Sequence, residues 1–204
     1  MARSVFHFLS RKTGSPELSD ATYRLRLPQN GDFDAWRRLR VESREFLQPW
    51  EPTWRAEDFT AHAFRARVQR NQQEYHSGSA VPFFIFRRSD DALLGGLTVG
   101  LIRRGVAQAC MIGYWMGASH AGQGHMFAAL HLAIPYMFGE LQLHRIEAAC
   151  IPDNVKSVRL LERSGFTREG LLRHYLKING AWRDHLLFAL LSSDISLKEE
   201  HRWE

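Results

Sequence analysis

The chain has 204 residues, 45% of them hydrophobic and 12% aromatic, enough apolar side chain to fill one core, and a single domain is the expectation. Its net charge of +5 is spread along the chain, with three excess basic residues in 1–80 and two in the remainder, which favours anionic ligands. No basic run exceeds two residues, only two cysteines occur and no apolar run approaches 18 residues, which argues in turn against a nucleic-acid binder, a disulfide framework and a membrane span.

The chain opens with MARSVFHFLSRK, whose apolar stretch is interrupted by His7 and is too short for the core of a secretion signal, so a cytoplasmic protein is expected. Residues 1–20 read as an N-terminal extension, 21–193 as the domain and 194–204 as a tail. TYRLRL (22–27) alternates as a strand does. A helix follows with Phe33, Trp36, Leu39 and Phe46 on one face and Asp32 as its cap. The Pro- and Trp-rich link QPWEPTW (48–54) leads into a second helix over 57–75, with Phe59, Ala63, Phe64 and Val68 inward. Three strands come next, 81–88, 93–102 and 106–116, separated by short turns that suit an antiparallel meander.

The segment 124–138 reads as a helix with Met126, Leu130, Ala133 and Met137 inward. Proline lacks an amide donor, so Pro135 predicts an irregular last turn. A strand at 144–151 and a helix at 154–165 follow, the helix starting near Asn154 and stopping at Gly165, and two more strands end the domain. Cys110 and Cys150 lie in strand-like runs, where a buried reduced thiol is the expectation. The pattern predicts an α/β fold around one mixed sheet of about seven strands, with about four helices.

The chemistry begins at GYWMGASHAGQGHMFAAL (113–130), where a strand delivers the chain through Gly122-Gln123-Gly124 into a helix. Backbone N–H groups at a helix N-terminus, bared by glycine, suit phosphate or pyrophosphate. A lone GxG turn is also compatible with a tight connection, and the third glycine of a dinucleotide site is absent. A second helix start, Asn154-x-x-Ser157, stands past the next strand. Parallel neighbouring strands would aim both helix N-termini at the same sheet edge, where one elongated ligand spans them. His120 and His125 flank the loop, yet no third Cys, His or acidic residue clusters with them, and no metal site is expected.

On these motifs the sequence resembles the acetyl-CoA-dependent N-acetyltransferases of the GNAT superfamily, and within it the bacterial ribosomal-protein-alanine N-acetyltransferases. FLQPWEP (46–52), the 113–130 stretch, HRIEAACIPDNVKSVRLLERSGFTREG (144–170) and YLKINGAWRDHLLFAL (175–190) carry the resemblance over nearly the whole chain. It implies a GNAT fold with a sheet splayed at the cofactor cleft. Acetyl-CoA as cosubstrate would be held by Tyr114, Trp115, Met116, Ala121, Gly122, Gln123, Gly124, His125, Met126, Asn154 and Ser157. The acceptor would be a protein or peptide N-terminus, that of a ribosomal protein, and the enzyme a monomer or dimer that needs neither nucleic acid nor membrane. Two positions depart from the family's pattern. Ala121 stands where Arg or Gln is usual, and His174 where an acidic residue commonly precedes the tyrosine that matches Tyr175.

Acetyl transfer to an amine needs an uncharged nucleophile, a polarised carbonyl and a fate for the leaving thiolate. An α-amine is about one-seventh neutral at pH 7 and a lysine only about once in 2,500, so a protein N-terminus is the easier acceptor and a base as weak as His174 suffices. Ser157 and Tyr175 are the hydroxyls expected near the sulfur. Glu51, walled by Trp50 and Trp54, is expected to attract a cationic N-terminus. A small amine, an aminoglycoside or a lysine as acceptor, and a non-catalytic CoA-binding factor of ribosome assembly, remain open at this point.

Overall fold

The computed structural model describes residues 15–195. Eight strands form one sheet in the order β1-β2-β3-β4-β5-β6-β8-β7. In chain order these are β1 (Glu17–Ser19), β2 (Tyr23–Arg26), β3 (Val81–Arg87), β4 (Ala92–Arg103), β5 (Ala109–Met116), β6 (Arg145–Cys150), β7 (Thr167–Ile178) and β8 (Ala181–Leu191). The α-helices are α1 (Phe33–Glu42), α2 (Arg44–Leu47), α3 (Ala61–His76), α4 (His125–Gly139) and α5 (Val155–Arg163). The three strands after α3 form the expected meander, and β5 pairs in parallel with β6, joined by α4.

Alternation along each strand sends successive side chains to opposite faces, and the two faces carry different cores. Val81, Phe83 and Ile85 of β3 join Cys110 and Ile112 of β5 under α4 and α5. Phe84 and Phe86 turn the other way, to Trp36 and Leu39 of α1 and Phe64 and Val68 of α3. The four inward residues expected of α4, Met126, Leu130, Ala133 and Met137, are all buried in the first core. Gly165, at φ +91°, ends the turn after α5 in the left-handed region, as expected.

Several details differ from the sequence reading. The sheet begins at Glu17, inside the stretch read as an extension; a three-residue strand is too short to show alternation. The rest of that extension, 1–14, and most of the tail, 196–204, lie outside the described residues. One helix was expected over 33–46, but it breaks at Ser43, whose backbone leaves the helical region at ψ 9° and whose buried hydroxyl accepts from the Ala118 N–H at 2.8 Å. Leu47 therefore turns inward instead of Phe46.

Asp32 sits at the start of α1 without capping it. Its carboxylate accepts from Arg26 at 2.7 and 2.8 Å and from the Gln29 N–H at 2.7 Å. The second long helix starts at Ala61, not at 57, because Thr60 accepts from the Ala63 N–H and a 3-10 turn occupies Ala56–Phe59. Finally, α4 runs through Pro135 to Gly139, held by the buried Ile134, Tyr136 and Met137.

Candidate active site

The parallel pair β5–β6 is hydrogen-bonded only from Ala109–Ile112 to Arg145–Ala148. Beyond that, Gly113–Met116 stay with β4 and Ala149–Cys150 stay with β8, so the sheet splits between the two strands. A glycine pair on β4 lets the end of β5 pack close against it. A Cβ on Gly96 would lie 2.5 Å from Trp115 Nε1, and one on Gly95 would lie 2.3 Å from the Trp115 carbonyl oxygen. The split leaves main-chain groups around Tyr114–Met116 without a β6 partner, which is what an extended amide-bearing ligand can use.

The loop after β5 reaches the same opening. Gly122 and Gly124 have φ of +76° and +84°, and a Cβ built on either meets nothing within 4 Å, so both are bare, left-handed and open to a ligand. The first intrahelical bond of α4 runs from the Ala128 N–H to the Gly124 carbonyl, and the N–H groups of His125, Met126 and Phe127 have no carbonyl one turn back. Side chains brace this cradle. Gln123 donates to the Ser119 carbonyl at 2.7 Å, His125 Nε2 meets Gln123 Oε1 at 3.2 Å, and the Tyr23 hydroxyl meets His125 Nδ1 at 2.8 Å. One direction satisfies the chain: Tyr23 donates to Nδ1 of a neutral imidazole whose Nε2–H donates to Gln123. Burial, with His120 and Arg87 beside it, lowers the pKa of His125 and favours that neutral form.

The second helix start is built as expected. The Asn154 side chain caps α5 by accepting the Ser157 N–H at 3.2 Å. Ser157 is 9% exposed, and its Oγ lies 2.7 Å from the Tyr114 hydroxyl. Burial pushes the Tyr114 phenol well above its ordinary range, so it remains a protonated donor. Where Tyr114 donates to Ser157 Oγ, the serine keeps its own proton for a second acceptor. The Cys150 thiol is hydrogen-bonded with Ser157 and is pushed up by its own burial, hence a thiol and not a thiolate.

Sequence reasoning places the hydroxyls of Ser157 and Tyr175 near the sulfur; the hydroxyl that Ser157 bonds in the structure is that of Tyr114. The Tyr175 hydroxyl donates to Met111 Sδ at 3.6 Å, and its ring stands edge-on to His185 at 5.6 Å. Met111 belongs to the face of β5 that carries Trp115, opposite the face of Tyr114, so Ser157 and Tyr175 flank the split from its two sides. His174 is exposed in the bulge of β7, at φ +48°, with its N–H held by Asp184 at 2.8 Å.

On the Tyr175 side, the link before α3 folds around one cation. Both Glu51 oxygens accept from the Arg40 guanidinium, and Trp54 Nε1 donates to Glu51 Oε2 at 2.9 Å. Arg40 lies 4.1 Å from the Trp54 ring centre and 4.8 Å from that of Trp115. Trp50 is half-buried in the 3-10 turn Gln48–Trp50, and the Glu51 carbonyl accepts the Asn179 N–H of the β7–β8 turn at 2.9 Å. Arg40 escapes sequence reading because a buried arginine on an amphipathic helix looks like any solvated one. The only sign of it is its place beside Leu39 on the inward stripe. Among the described residues, no group of three or more His, Cys, Asp or Glu is arranged to hold a metal.

Comparison with known proteins agrees with this geometry. The family model described as an acetyltransferase (GNAT) domain matches residues 23–167. The chain is 37% identical over 185 residues to the ribosomal protein uS5-alanine N-acetyltransferase of Escherichia coli (strain K12), covering 90% of this chain and 95% of that protein. It is 40% identical over 157 residues to the probable N-acetyltransferase YjcK of Bacillus subtilis (strain 168), covering 76% and 86%. Among solved structures, Mycobacterium smegmatis RimJ in complex with CoA-disulfide matches with a TM-score of 0.81 at 32% identity, over 92% of this chain and 94% of that one.

Proposed function

The chain belongs to the GNAT acetyltransferase family, and from that premise we propose that it moves acetyl from acetyl-CoA directly onto the N-terminal alanine of a small-subunit ribosomal protein. One observation carries the reading: the split strands, the open glycine cradle and the Asn154–Ser157 helix start converge on one sheet edge. The alanine acceptor rests on the likeness to the uS5-alanine enzyme along 90% of the chain. Among the described residues no helix is long and apolar enough to cross a membrane, and the proposed substrate places the work in the cytoplasm.

Acetyl-CoA supplies an activated acetyl thioester, and the residues of the split fit such a ligand. Main-chain N–H groups of Gly122–Met126, with Ala121 and Gln123 shaping the turn, hold the pyrophosphate by hydrogen bonds and by the positive end of α4. Tyr114, Trp115 and Met116 offer their unpaired strand edge to the pantetheine amides, and one of their N–H groups polarises the acyl carbonyl. Asn154 orients the first turn of α5. Ser157, its oxygen engaged by Tyr114, donates its proton toward the departing sulfur. Tyr175 and His174 serve from the acceptor face, where water relayed by His174 takes the proton that the attacking amine gives up.

Incubation with acetyl-CoA and Ala-initiated peptides, following free thiol, tests the reading. Turnover is expected with the α-amine peptides and little with N-blocked lysine peptides or aminoglycosides. CoA binding without any turnover would convert the protein into a binding module and end the proposal.

A further inference from the structure

We infer that the acceptor amine enters in its neutral form, and that Arg40 is the specificity-determining residue that enforces this by keeping Glu51 as half of a neutral pair. The inference rests on the acetyltransferase reading above and concerns the acceptor side of the same site.

A lone carboxylate beside two indoles would hold an ammonium ion. Glu51 is not alone. Its Oε2 accepts from both Arg40 and Trp54, its Oε1 accepts from Arg40 Nη1 at 2.8 Å, and its side chain is 21% exposed. The partner cannot swing away, because the Arg40 guanidinium is clamped between the rings of Trp54 and Trp115 and its side chain is 10% exposed. The Trp54 ring already carries one cation on its face.

Every element packed around the pair adds to the same bias. Arg44 of α2 lies 5.9 Å from the Trp54 ring, and Arg67 of α3 interacts with Arg40 and Glu51 and, around itself, with Arg70 of α3 and Asp58 of the Ala56–Phe59 turn. Counting Arg70 and Asp58, which act through Arg67, the surroundings hold four guanidinium groups and two carboxylates. Burial first, then Arg40 and Arg70, lower the pKa of Arg67, as expected where positive charge is in excess. Arg40 Nε is buried with no hydrogen-bond partner among the described residues, so part of that charge is not met by a local acceptor. The β7–β8 turn contributes a main-chain N–H from Asn179, which adds no negative charge. An ammonium brought here meets net repulsion and leaves its own hydration behind, whereas a neutral amine meets neither cost.

The consequence is a pH dependence of binding that belongs to the ligand. With an α-amine pKa near 7.8, the neutral fraction rises from about one-twentieth at pH 6.5 to about five-sixths at pH 8.5, so affinity should improve by roughly 15-fold. The probe is an Ala-initiated peptide titrated by calorimetry into the full chain saturated with CoA, with the N-acetylated peptide as control for titration of His174, His185 and other protein groups.

Wild type should show the roughly 15-fold gain for the free-amine peptide over its blocked control. Arg40→Gln, which frees the Glu51 charge while Trp54 still holds it, should flatten that gain below about threefold or invert it, since the cation is then welcome. Arg40→Lys should restore it. A purely structural role for Arg40 would weaken binding at both pH values without changing their ratio. Where Arg40→Gln does not fold, Glu51→Gln serves: the gain should persist or grow, and its loss would show that the carboxylate binds ammonium. A wild-type affinity that is flat or tighter at pH 6.5 overturns the inference while thiol release leaves the acetyltransferase reading standing. Absence of thiol release with every acceptor removes both.

Discussion

The two sides of the split sheet are made of different material. On the α4–α5 face the site is main chain: glycines in left-handed conformation, a helix start stripped of hydrogen-bond partners, a strand edge without its neighbour. On the α1–α3 face it is side chain: Arg40 pairs with Glu51, Trp54 donates to Glu51, and both indoles lie against the Arg40 guanidinium. The difference teaches how one fold can keep a cosubstrate constant and change acceptors. A ligand gripped by backbone is indifferent to most substitutions, while a pocket built from paired side chains is rewritten by changing one pair.

The largest break in this division should come where a side chain does chemistry on the backbone-built side. Ser157→Ala removes the hydroxyl proposed to protonate the departing sulfur, and a fall in kcat of about 100-fold is expected, in the usual range for loss of a positioned proton donor. The Asn154 cap is untouched, so the KM for acetyl-CoA should move by less than about threefold. Stopped-time thiol assays over a range of acetyl-CoA separate the two numbers. An unchanged kcat would mean the thiolate leaves unaided.

Next in size is an attack on the backbone itself. Gly124 adopts φ +84°, where a β-branched residue is strained by about 1–2 kcal/mol, and its Cβ would protrude into the open cradle. Gly124→Val should raise the KM for acetyl-CoA at least about tenfold and lower Tm by roughly 2–8 °C. The acceptor peptide should still bind, because nothing on the α1–α3 face depends on that turn. Loss of peptide and cofactor binding together would mean that the two sides are one cooperative unit.

This division also explains what the sequence discloses. Gly122-x-Gly124 and Asn154-x-x-Ser157 are legible because only a few residue types tolerate those backbone positions, whereas the split of β5 from β6 comes only from the resemblance to the GNAT family. The strand alternation and the inward stripe of α4 are legible for the same reason, a local rule at a fixed period. Arg40 with Glu51, and Tyr114 with Ser157, join residues 11 and 43 positions apart through side chains whose direction no local rule sets. Ser157 and Tyr175 read as two hydroxyls near the sulfur; strand parity, visible only with the register in hand, puts them on opposite faces of the sheet. Glu51 reads as a free charge because its counterion lies one helix back.

A smaller effect should follow from Tyr114→Phe. Removing the phenol leaves Ser157 Oγ without its 2.7 Å donor while the packing of the ring persists. One neutral hydrogen bond is worth about 0.5–1.5 kcal/mol, so kcat should fall by roughly 2- to 12-fold, with the serine free to rotate and to spend its proton elsewhere. Ser157→Ala and Tyr114→Phe combined should cost no more than Ser157→Ala alone, since the phenol acts through the serine. Multiplicative losses would instead give Tyr114 its own contact with the reacting atoms.

The smallest effect is also the one that sharpens the cofactor side most, because it carries two opposite signs. The pKa of His125 is lowered in the fold by burial and by the positive charges of His120 and Arg87, below the ordinary value of 6.5. Between that lowered value and 6.5 the unfolded chain binds more protons than the folded one, so stability is complete above 6.5 and declines as pH falls through this window. Protonation would also turn Nδ1 into a donor against the Tyr23 hydroxyl, forcing the phenol to reverse its bond. His125→Gln should therefore reduce the drop in Tm of the free protein between pH 7.5 and 5.5, a change of a few degrees at most. Added CoA should act the other way: a phosphate next to His125 favours its charged form, so the Tm increase given by CoA should be larger at pH 5.5 than at 7.5, and His125→Gln should abolish that excess. Equal stabilisation by CoA at both pH values would place the pyrophosphate away from this imidazole and against the far side of the glycine turn.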